Sequence, residues 1–227
     1  MDDLLSEKEQ IEQIRSWWSE YGSYVVGGII IGVGLLFGIN HYKSSKLQAQ
    51  LDASAAYEGL IKHVVKGNLD AAEIAADEIA ASFGETAYAA QSRFAMARLY
   101  MDKNRDQDAA DSLAAVVDSA ADDELKHVAR LRLARLYLYQ DKAQQVVDLL
   151  LAEDNSAFAA LYGEVLGDAY TALGRIADAQ SAYQNVLMDP MARGIVDQKL
   201  VQWKVLDLPE IEVPSELESE PEPGEIE

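Results

Sequence analysis

Hydrophobic and polar residues divide the chain into parts with different patterns. The stretch Tyr21–Tyr42 holds 22 consecutive residues without Asp, Glu, Lys or Arg, and its centre contains only aliphatic residues, Phe and Gly. As a helix it would be about 33 Å long, against a bilayer core of about 30 Å. A buried helix of a soluble core would carry a polar stripe, whereas this run is apolar on all faces. The pattern predicts a transmembrane helix over residues 21–42.

The residues that flank the span distinguish an anchor from a cleaved signal. A cleavable signal needs a positively charged start and a small-x-small site soon after the apolar core. Here the start is acidic, and the core is followed by Asn40-His41-Tyr42-Lys43. An uncleaved signal-anchor is therefore predicted. The two basic residues before the span equal in number the two that follow it closely, so the positive-inside rule leaves the orientation open.

Residues 1–20 form a separate segment, with six acidic residues against two basic ones. Its apolar residues recur at helical spacing and are Ile11, Ile14, Trp17 and Trp18. Because tryptophan is favoured at the headgroup level of a bilayer, the pattern predicts a short amphipathic helix at the membrane interface. A partner-binding segment is the alternative interpretation.

Glycines within the span suggest a contact with another membrane helix. Four of them form two pairs with small-xxx-small spacing, namely Gly28 with Gly32 and Gly34 with Gly38. Such pairs let helix backbones approach closely where no hydrophobic effect drives association. We take these four residues as a candidate packing site for a second transmembrane helix, with ordinary glycine enrichment in spans as the alternative.

Residues 43–206 are predicted to form an all-helical domain. Apolar residues recur at spacings of three and four, no alternating strand pattern occurs, and Pro190 is the single proline. Turn and capping residues, among them Gly67-Asn68, Asn104 and Gly174, separate segments of about 10 to 20 residues. This spacing is typical of helical hairpins.

An internal repeat specifies the hairpins further. Ala97-Arg98-Leu99-Tyr100 recurs as Ala134-Arg135-Leu136-Tyr137, and Leu166-Gly167-Asp168-Ala169-Tyr170 begins a third copy. The third copy continues with Gly174, Ala179, Tyr183 and Asp189-Pro190. It closely resembles the tetratricopeptide repeat pattern, in which small residues let paired helices approach and aromatic residues fill the space between them. We expect a solenoid of three helix pairs, a degenerate first pair around Gly67, and a capping helix over Arg193–Leu206. An irregular helical bundle is the alternative.

Charge excludes some partners and marks the end of the chain. The formal net charge is −20, from 19 basic and 39 acidic side chains, whereas nucleic-acid binding needs clustered Lys and Arg. No nucleic-acid partner is expected. Residues 207–227 hold nine acids, no base and four of the five prolines, which predicts a disordered acidic tail. Such a tail serves either to solvate the protein or to bind a partner.

The sequence lacks a recognisable constellation for catalysis. The three histidines, His41, His63 and His127, are scattered, and the chain has no cysteine, no HExxH and no glycine-rich phosphate loop. We expect no enzymatic activity, metal, cofactor or small-molecule substrate. A deep pocket with converging titratable groups would revive the enzyme hypothesis.

The order of these features resembles the YfgM family of ancillary SecYEG translocon subunits. The similarity rests on Trp17-Trp18 in an acidic N-terminus, on Ile31-Gly32-Val33-Gly34 and Gly38 in the span, and on the degenerate repeats. It implies a single-pass protein of the cell inner membrane, with the N-terminus in the cytoplasm and the repeat domain in the periplasm. It also implies association with the translocon and with the membrane-anchored periplasmic chaperone PpiD, to assist folding or trafficking of exported polypeptides. The acidic tail departs from this pattern.

The resemblance to tetratricopeptide proteins also implies a binding surface. In those proteins the residue after the small position of each first helix usually faces a concave groove, which here selects Arg98, Arg135 and Asp168. Their predicted neighbours in the groove are Phe94, Met101, Leu131, Leu138 and Tyr139. We expect these residues to contact a partner protein, although solvated helix faces explain the charged three equally well. The alternative function is a scaffold for another envelope assembly, such as division or cell-wall machinery.

Overall fold

The computed structural model describes residues 7–120, 122–151 and 157–209. Over these residues the chain is helical and contains no strand beyond an isolated bridge between Arg193 and Val196. The helices are α1 (Glu7–Val65), α2 (Leu69–Phe83), α3 (Ala87–Asp102), α4 (Asp106–Ser119), α5 (Asp123–Tyr139), α6 (Ala143–Leu151), α7 (Ala159–Ala172), α8 (Ile176–Met188) and α9 (Gln198–Leu206), with a 3₁₀ turn at Pro190–Ala192. The chain divides into two compact units, Met1–Ala55 and Ala56–Glu227.

In the first unit, the described residues belong to one uninterrupted helix. We expected a short amphipathic helix followed by a separate span, but α1 continues through both without a break. No proline interrupts it, and a helix in lipid must satisfy its backbone hydrogen bonds internally. Within the described residues, α1 alone is long and apolar enough to cross a membrane. Its apolar side chains face outward, with Leu36 70% and Phe37 74% exposed, as contact with lipid requires.

The second unit consists of stacked helix pairs. Helices α3 and α4, α5 and α6, and α7 and α8 pack as pairs, and each pair packs on the next. Leu60, in the last part of α1, shares a buried cluster with Ala72 and Ile79 of α2 and so completes a first pair. The predicted fold class, an N-terminal transmembrane helix followed by a tetratricopeptide-like solenoid of helical hairpins, is confirmed.

One type of turn joins the two helices in all four pairs. The residues at its centre are Gly67, Asn104, Asp141 and Gly174, each with a φ between 57° and 71°. The amide of the following residue donates to the carbonyl oxygen five positions earlier, at 2.8 to 3.0 Å. This left-handed residue and hydrogen bond end a helix and reverse the chain. Glycine and asparagine mark three of the turns in the sequence, whereas Asp141 gives no such signal.

A basic residue follows three of these turns and covers an aromatic ring. Arg105 lies over Tyr100, Lys142 over Tyr137 and Arg175 over Tyr170, at 4.7, 5.7 and 4.5 Å from the ring centroids. Arg105 also pairs with Glu73 of α2 at 2.8 Å, and Tyr100 donates a hydrogen bond to the same carboxylate at 3.0 Å. Burial, followed by this hydrogen bond, raises the pKa of Tyr100 to about 12. These contacts connect α2 to the pair that follows it.

The last pair and its cap hold the residues of the clearest repeat. Gly167 lies against the ring of Tyr183, as its small size predicts. Helix α8 ends at Met188, just before Asp189-Pro190. The predicted start of the capping helix at Arg193 is wrong, because α9 begins at Gln198. Asp197 accepts hydrogen bonds from the amides of residues 199 and 200 at 3.0 and 3.2 Å and thereby sets the first turn of α9.

Candidate functional site

An open groove runs along the first helices of the second and third pairs. Its hollow measures about 340 Å³ between α3 and α5, and Ala109 and Leu113 of α4 form its buried floor. We call this hollow the arginine groove. The side chains that form its walls are Phe94, Arg98, Met101, Arg132, Arg135 and Tyr139. Five of the eight residues predicted to bind a partner lie in these walls. The structure therefore brings together side chains from two repeats at one surface.

Helical periodicity explains why these side chains share one face. On α3 the wall residues stand at positions 94, 98 and 101, and on α5 at positions 132, 135 and 139. Residues three, four and seven apart lie on the same side of a helix. Residues between them, such as Met96, Leu99 and Leu133, turn inward and are buried. The repeat thus presents equivalent faces of α3 and α5 to the groove.

The groove carries positive charge on a strongly acidic chain. Arg98, Arg132 and Arg135 are exposed, and among the described residues none of their guanidinium groups forms an ion pair. The Arg132 guanidinium lies 4.5 Å from the centroid of the Phe94 ring. Guanidinium groups bind carboxylates with two parallel hydrogen bonds, and the exposed ring of Tyr139 offers apolar contact. These groups suit the binding of a ligand that carries carboxylates and apolar side chains.

A second hollow adjoins the arginine groove within the same unit. It measures about 630 Å³ and lies between the end of α1 and α3, where Tyr57, Ile61 and Val64 line it. Phe94, Arg98 and Arg132 line both hollows, and one acid, Asp102, lines the second. Its wall is mainly apolar beyond the arginines. A bound segment could therefore extend from the third pair to the first.

The other three predicted residues have internal contacts. Leu131 is 8% exposed and belongs to the core, and Leu138 packs against the same core cluster. Asp168 accepts hydrogen bonds from the Tyr183 hydroxyl at 2.7 Å and from Lys204 Nζ at 2.8 Å, which connects α7 to α9. A role for these three in binding a partner stays a prediction.

The candidate glycines of the span lie on open helix surface. At Gly28, Gly32, Gly34 and Gly38 an added Cβ would meet no atom within 4 Å. Gly22 differs, because Trp18 covers it and an added Cβ would lie 3.1 Å from the indole. The two pairs therefore leave room for close approach of another helix, and their packing role stays a prediction.

Sequence reasoning missed Arg132 and the hollow beside α1. Arg132 precedes Arg135 by one helical turn, so a search one turn back along the predicted face would have found it. The end of α1 had no such signal, because its aromatic repeat position holds His63 instead. For metals, the described part of the chain contains no group of three potential acidic, His or Cys ligands.

Stacked helix pairs with a groove along their first helices define a helical-repeat protein, here with a long apolar N-terminal helix. The chain belongs to the tetratricopeptide repeat-like domain family, which matches residues 15–210. This assignment agrees with the four turns and with the paired packing of the second unit.

Relatives of similar length are known. The ancillary SecYEG translocon subunit of Escherichia coli K12 is 29% identical over 208 residues, covering 92% of this chain and 99% of the relative. The protein of the same name from Haemophilus influenzae is 23% identical over 204 residues, covering 90% and 98%. These relatives confirm the resemblance to the YfgM family.

A solved structure supports the fold independently. A Podosopora anserina kinesin light chain with nearly identical tetratricopeptide-like repeats superposes with a TM-score of 0.50. It is 20% identical and covers 69% of this chain and 84% of its own. At this identity the likeness concerns the fold alone.

Proposed function

We propose that this protein is a membrane-tethered protein-interaction module of the export machinery. In this proposal α1 anchors the chain in the inner membrane, and the arginine groove binds a partner at the SecYEG translocon. The observation that carries the proposal is the groove itself, in which three guanidinium groups that form no ion pair with any described residue lie beside the exposed ring of Tyr139 and the half-buried side chains of Phe94 and Met101. The relatives named ancillary SecYEG translocon subunits, matched over nearly their whole length, support the choice of partner.

The finer parts of the proposal concern partners and layout. The periplasmic chaperone PpiD and exported polypeptides are the proposed companions, and the chain assists their folding or trafficking without chemistry of its own. The proposed layout is a cytoplasmic segment over residues 1–20, a span over 21–42, a periplasmic domain over 43–206 and an acidic tail over 207–227. Of the tail, residues 210–227 lie outside the described residues.

Co-purification from solubilised membranes tests the partner. We expect SecY and PpiD to accompany the full chain, and Arg98→Ala/Arg135→Ala/Tyr139→Ala to reduce their recovery at least tenfold. Tyr and Arg are enriched among interface hot spots, where truncation costs about 2 kcal/mol or more, so one hot spot among the three suffices for this reduction.

The matched control is Lys66→Ala/Lys103→Ala/Lys199→Ala, which changes exposed basic side chains outside the groove and should leave recovery unchanged. Equal recovery with the groove variant would remove the groove from the proposal. Recovery of division or cell-wall proteins in place of SecY would favour the scaffold hypothesis.

Protease protection tests the orientation. Added to spheroplasts, a protease should digest the domain after Lys43 and leave the N-terminal segment protected by the membrane. If the domain survives and is digested only after the membrane is opened, the periplasmic placement fails.

The glycine pairs are the proposed membrane contact. Gly28→Leu/Gly34→Leu places branched side chains where open space now permits close approach, so less SecY should be recovered. Gly27→Leu is the control, because Gly27 lies outside both pairs and also borders open space. Identical recovery from both variants would contradict the packing role.

A further inference from the structure

We infer that the arginine groove binds the acidic tail of its own chain through residues 210–227, and that a partner must displace this tail. The binding of the tail stands by itself, whereas the displacement rests on the function proposed above. The groove would then be regulated by a ligand that is always present at its side.

Charge is the first reason for this pairing. The groove presents three guanidinium groups, and the adjoining hollow adds a single acid, Asp102. The tail carries nine acids and no base. Hydrogen bonds between a guanidinium group and a carboxylate are about twice as strong as neutral ones, and they supply directional contacts as well as long-range attraction. Within this chain the tail is the segment with the most one-sided acidic charge.

The arrangement of apolar residues in the tail is the second reason. Acids alternate with apolar residues in Glu210-Ile211-Glu212-Val213 and again in Glu216-Leu217-Glu218. An extended segment with this alternation has one acidic edge and one apolar edge, because successive side chains point to opposite sides. The groove has the complementary form, with Ala109 and Leu113 buried in its floor and arginines exposed along its rim. The apolar edge therefore fits against the accessible side chains of Phe94, Met101 and Tyr139 above this floor, while the carboxylates meet the arginines of the rim.

Reach and effective concentration complete the argument. Leu208 packs against the core cluster of the last pair, so the 18 residues 210–227 remain to reach the groove, and in extended form they span up to about 60 Å. A compact domain of about 150 residues has a radius of gyration of only about 15 Å, so the tail reaches the groove. A tethered ligand acts at an effective concentration in the range of millimolar. Weak intrinsic affinity is sufficient for occupancy under these conditions.

Photo-crosslinking in the full chain tests the pairing. The sequence contains no cysteine, so no disulfide can be mistaken for a photo-crosslink. Leu217→benzoylphenylalanine places the photoreactive group in the acidic run and keeps that position apolar. In mild detergent we expect crosslinks within one chain to α3 or α5 at residues 94–101 or 132–139, independent of protein concentration. Mass spectrometry identifies the joined peptides.

Two variants on opposite sides of the contact give the decisive comparison. Arg98→Ala/Arg132→Ala/Arg135→Ala should reduce the crosslink at least fivefold, while the charge-matched Lys66→Ala/Lys103→Ala/Lys199→Ala should not change it. The same reduction should follow when the four acids of the two alternating runs in the tail are replaced by Gln, namely Glu210, Glu212, Glu216 and Glu218. This second change leaves the helical domain intact, so its effect does not depend on the folding of the arginine variant.

The outcomes separate this inference from the proposed function. Crosslinks that persist in both loss variants, or spread over other surfaces, overturn it. Crosslinks only between chains also overturn it, since they make a second copy the occupant. Recovery of SecY through the groove without any tail crosslink refutes the inference alone. A groove-specific crosslink without SecY recovery refutes the proposed function alone.

Discussion

The contact between Gly167 and Tyr183 makes a stringent prediction about the third helix pair. A Cβ added at Gly167 would fall 2.7 Å from Tyr183 Cζ and closer still to two other ring carbons. The ring cannot easily retreat, since Tyr183 is 2% exposed and its hydroxyl is held by Asp168 at 2.7 Å. Gly167→Ala should therefore force α7 and α8 apart or break this hydrogen bond.

The expected magnitude follows from two opposing effects. Overpacking a core costs about 1–3 kcal/mol, and a ring held on all sides puts this site at the upper end. Replacing glycine by alanine inside a helix returns about 1 kcal/mol. The net loss is about 2 kcal/mol in the free energy of unfolding. For a domain of this size, that lowers the Tm by about 4–8 °C.

Thermal unfolding of the full chain in mild detergent, followed by far-UV circular dichroism, measures this shift. Gly59→Ala is the control, because an added Cβ there meets nothing within 4 Å and the gain in helix propensity acts alone. Its Tm should rise. An unchanged or higher Tm for Gly167→Ala would refute the packing argument.

A double-mutant cycle locates the effect. In a Tyr183→Ala background the ring is gone, so adding Gly167→Ala should no longer destabilise and should stabilise by about the helix-propensity difference of 1 kcal/mol. Equal destabilisation in both backgrounds would place the strain somewhere other than this contact.

Further predictions concern turns, ion pairs, pH and the membrane interface. Asn104→Gly should raise the Tm, because φ at this residue is 57° and glycine avoids a left-handed penalty of about 1 kcal/mol; a lower Tm would contradict this. Lys204→Met should destabilise by about 2 kcal/mol in denaturant titrations, since it removes the ion-pair partner of Glu164 and one of the two hydrogen-bond donors to Asp168. The free energy of unfolding should fall as the pH rises from 10 to 12, because in this range Tyr100 loses its proton in the unfolded chain but keeps it in the folded one. Tyr100→Phe should make this dependence on pH less steep. The fluorescence of Trp17 and Trp18 should be quenched more by lipids with a spin label near the headgroup than by lipids with a label deep in the acyl chains. Stronger quenching by the deep label would exclude an interfacial position.

Features that depend on neighbours in sequence were predictable. The span follows from a run of apolar residues, and the hairpins follow from turn residues such as Gly67, Asn104 and Gly174. The exception is Asp141, which adopts the same left-handed turn without a distinctive residue type. Aspartate tolerates this conformation better than most residues, but it is also common throughout the chain, so its presence alone did not mark the turn.

The groove was predictable only in part. The repeat placed Arg98 and Arg135 at equivalent positions, because a helical period assigns residues to a face. It could not show that Arg132 lies over the Phe94 ring of the neighbouring helix, nor that Asp168 is engaged by Lys204, which lies 36 residues further on. These outcomes depend on how each helix is rotated against its neighbours.

The sequence by itself determined a membrane-length helix, the helical hairpins and the helix faces that carry Arg98 and Arg135, since all of these arise from periodicity within single helices. The tertiary structure decided which walls meet. Packing of α3, α4 and α5 placed three arginines over a floor formed by Ala109 and Leu113, whereas packing of α9 on α8 brought Lys204 to the acid of the third repeat. The physical reason is that side chains from different helices share a surface only after the hydrophobic faces between those helices have been buried against each other.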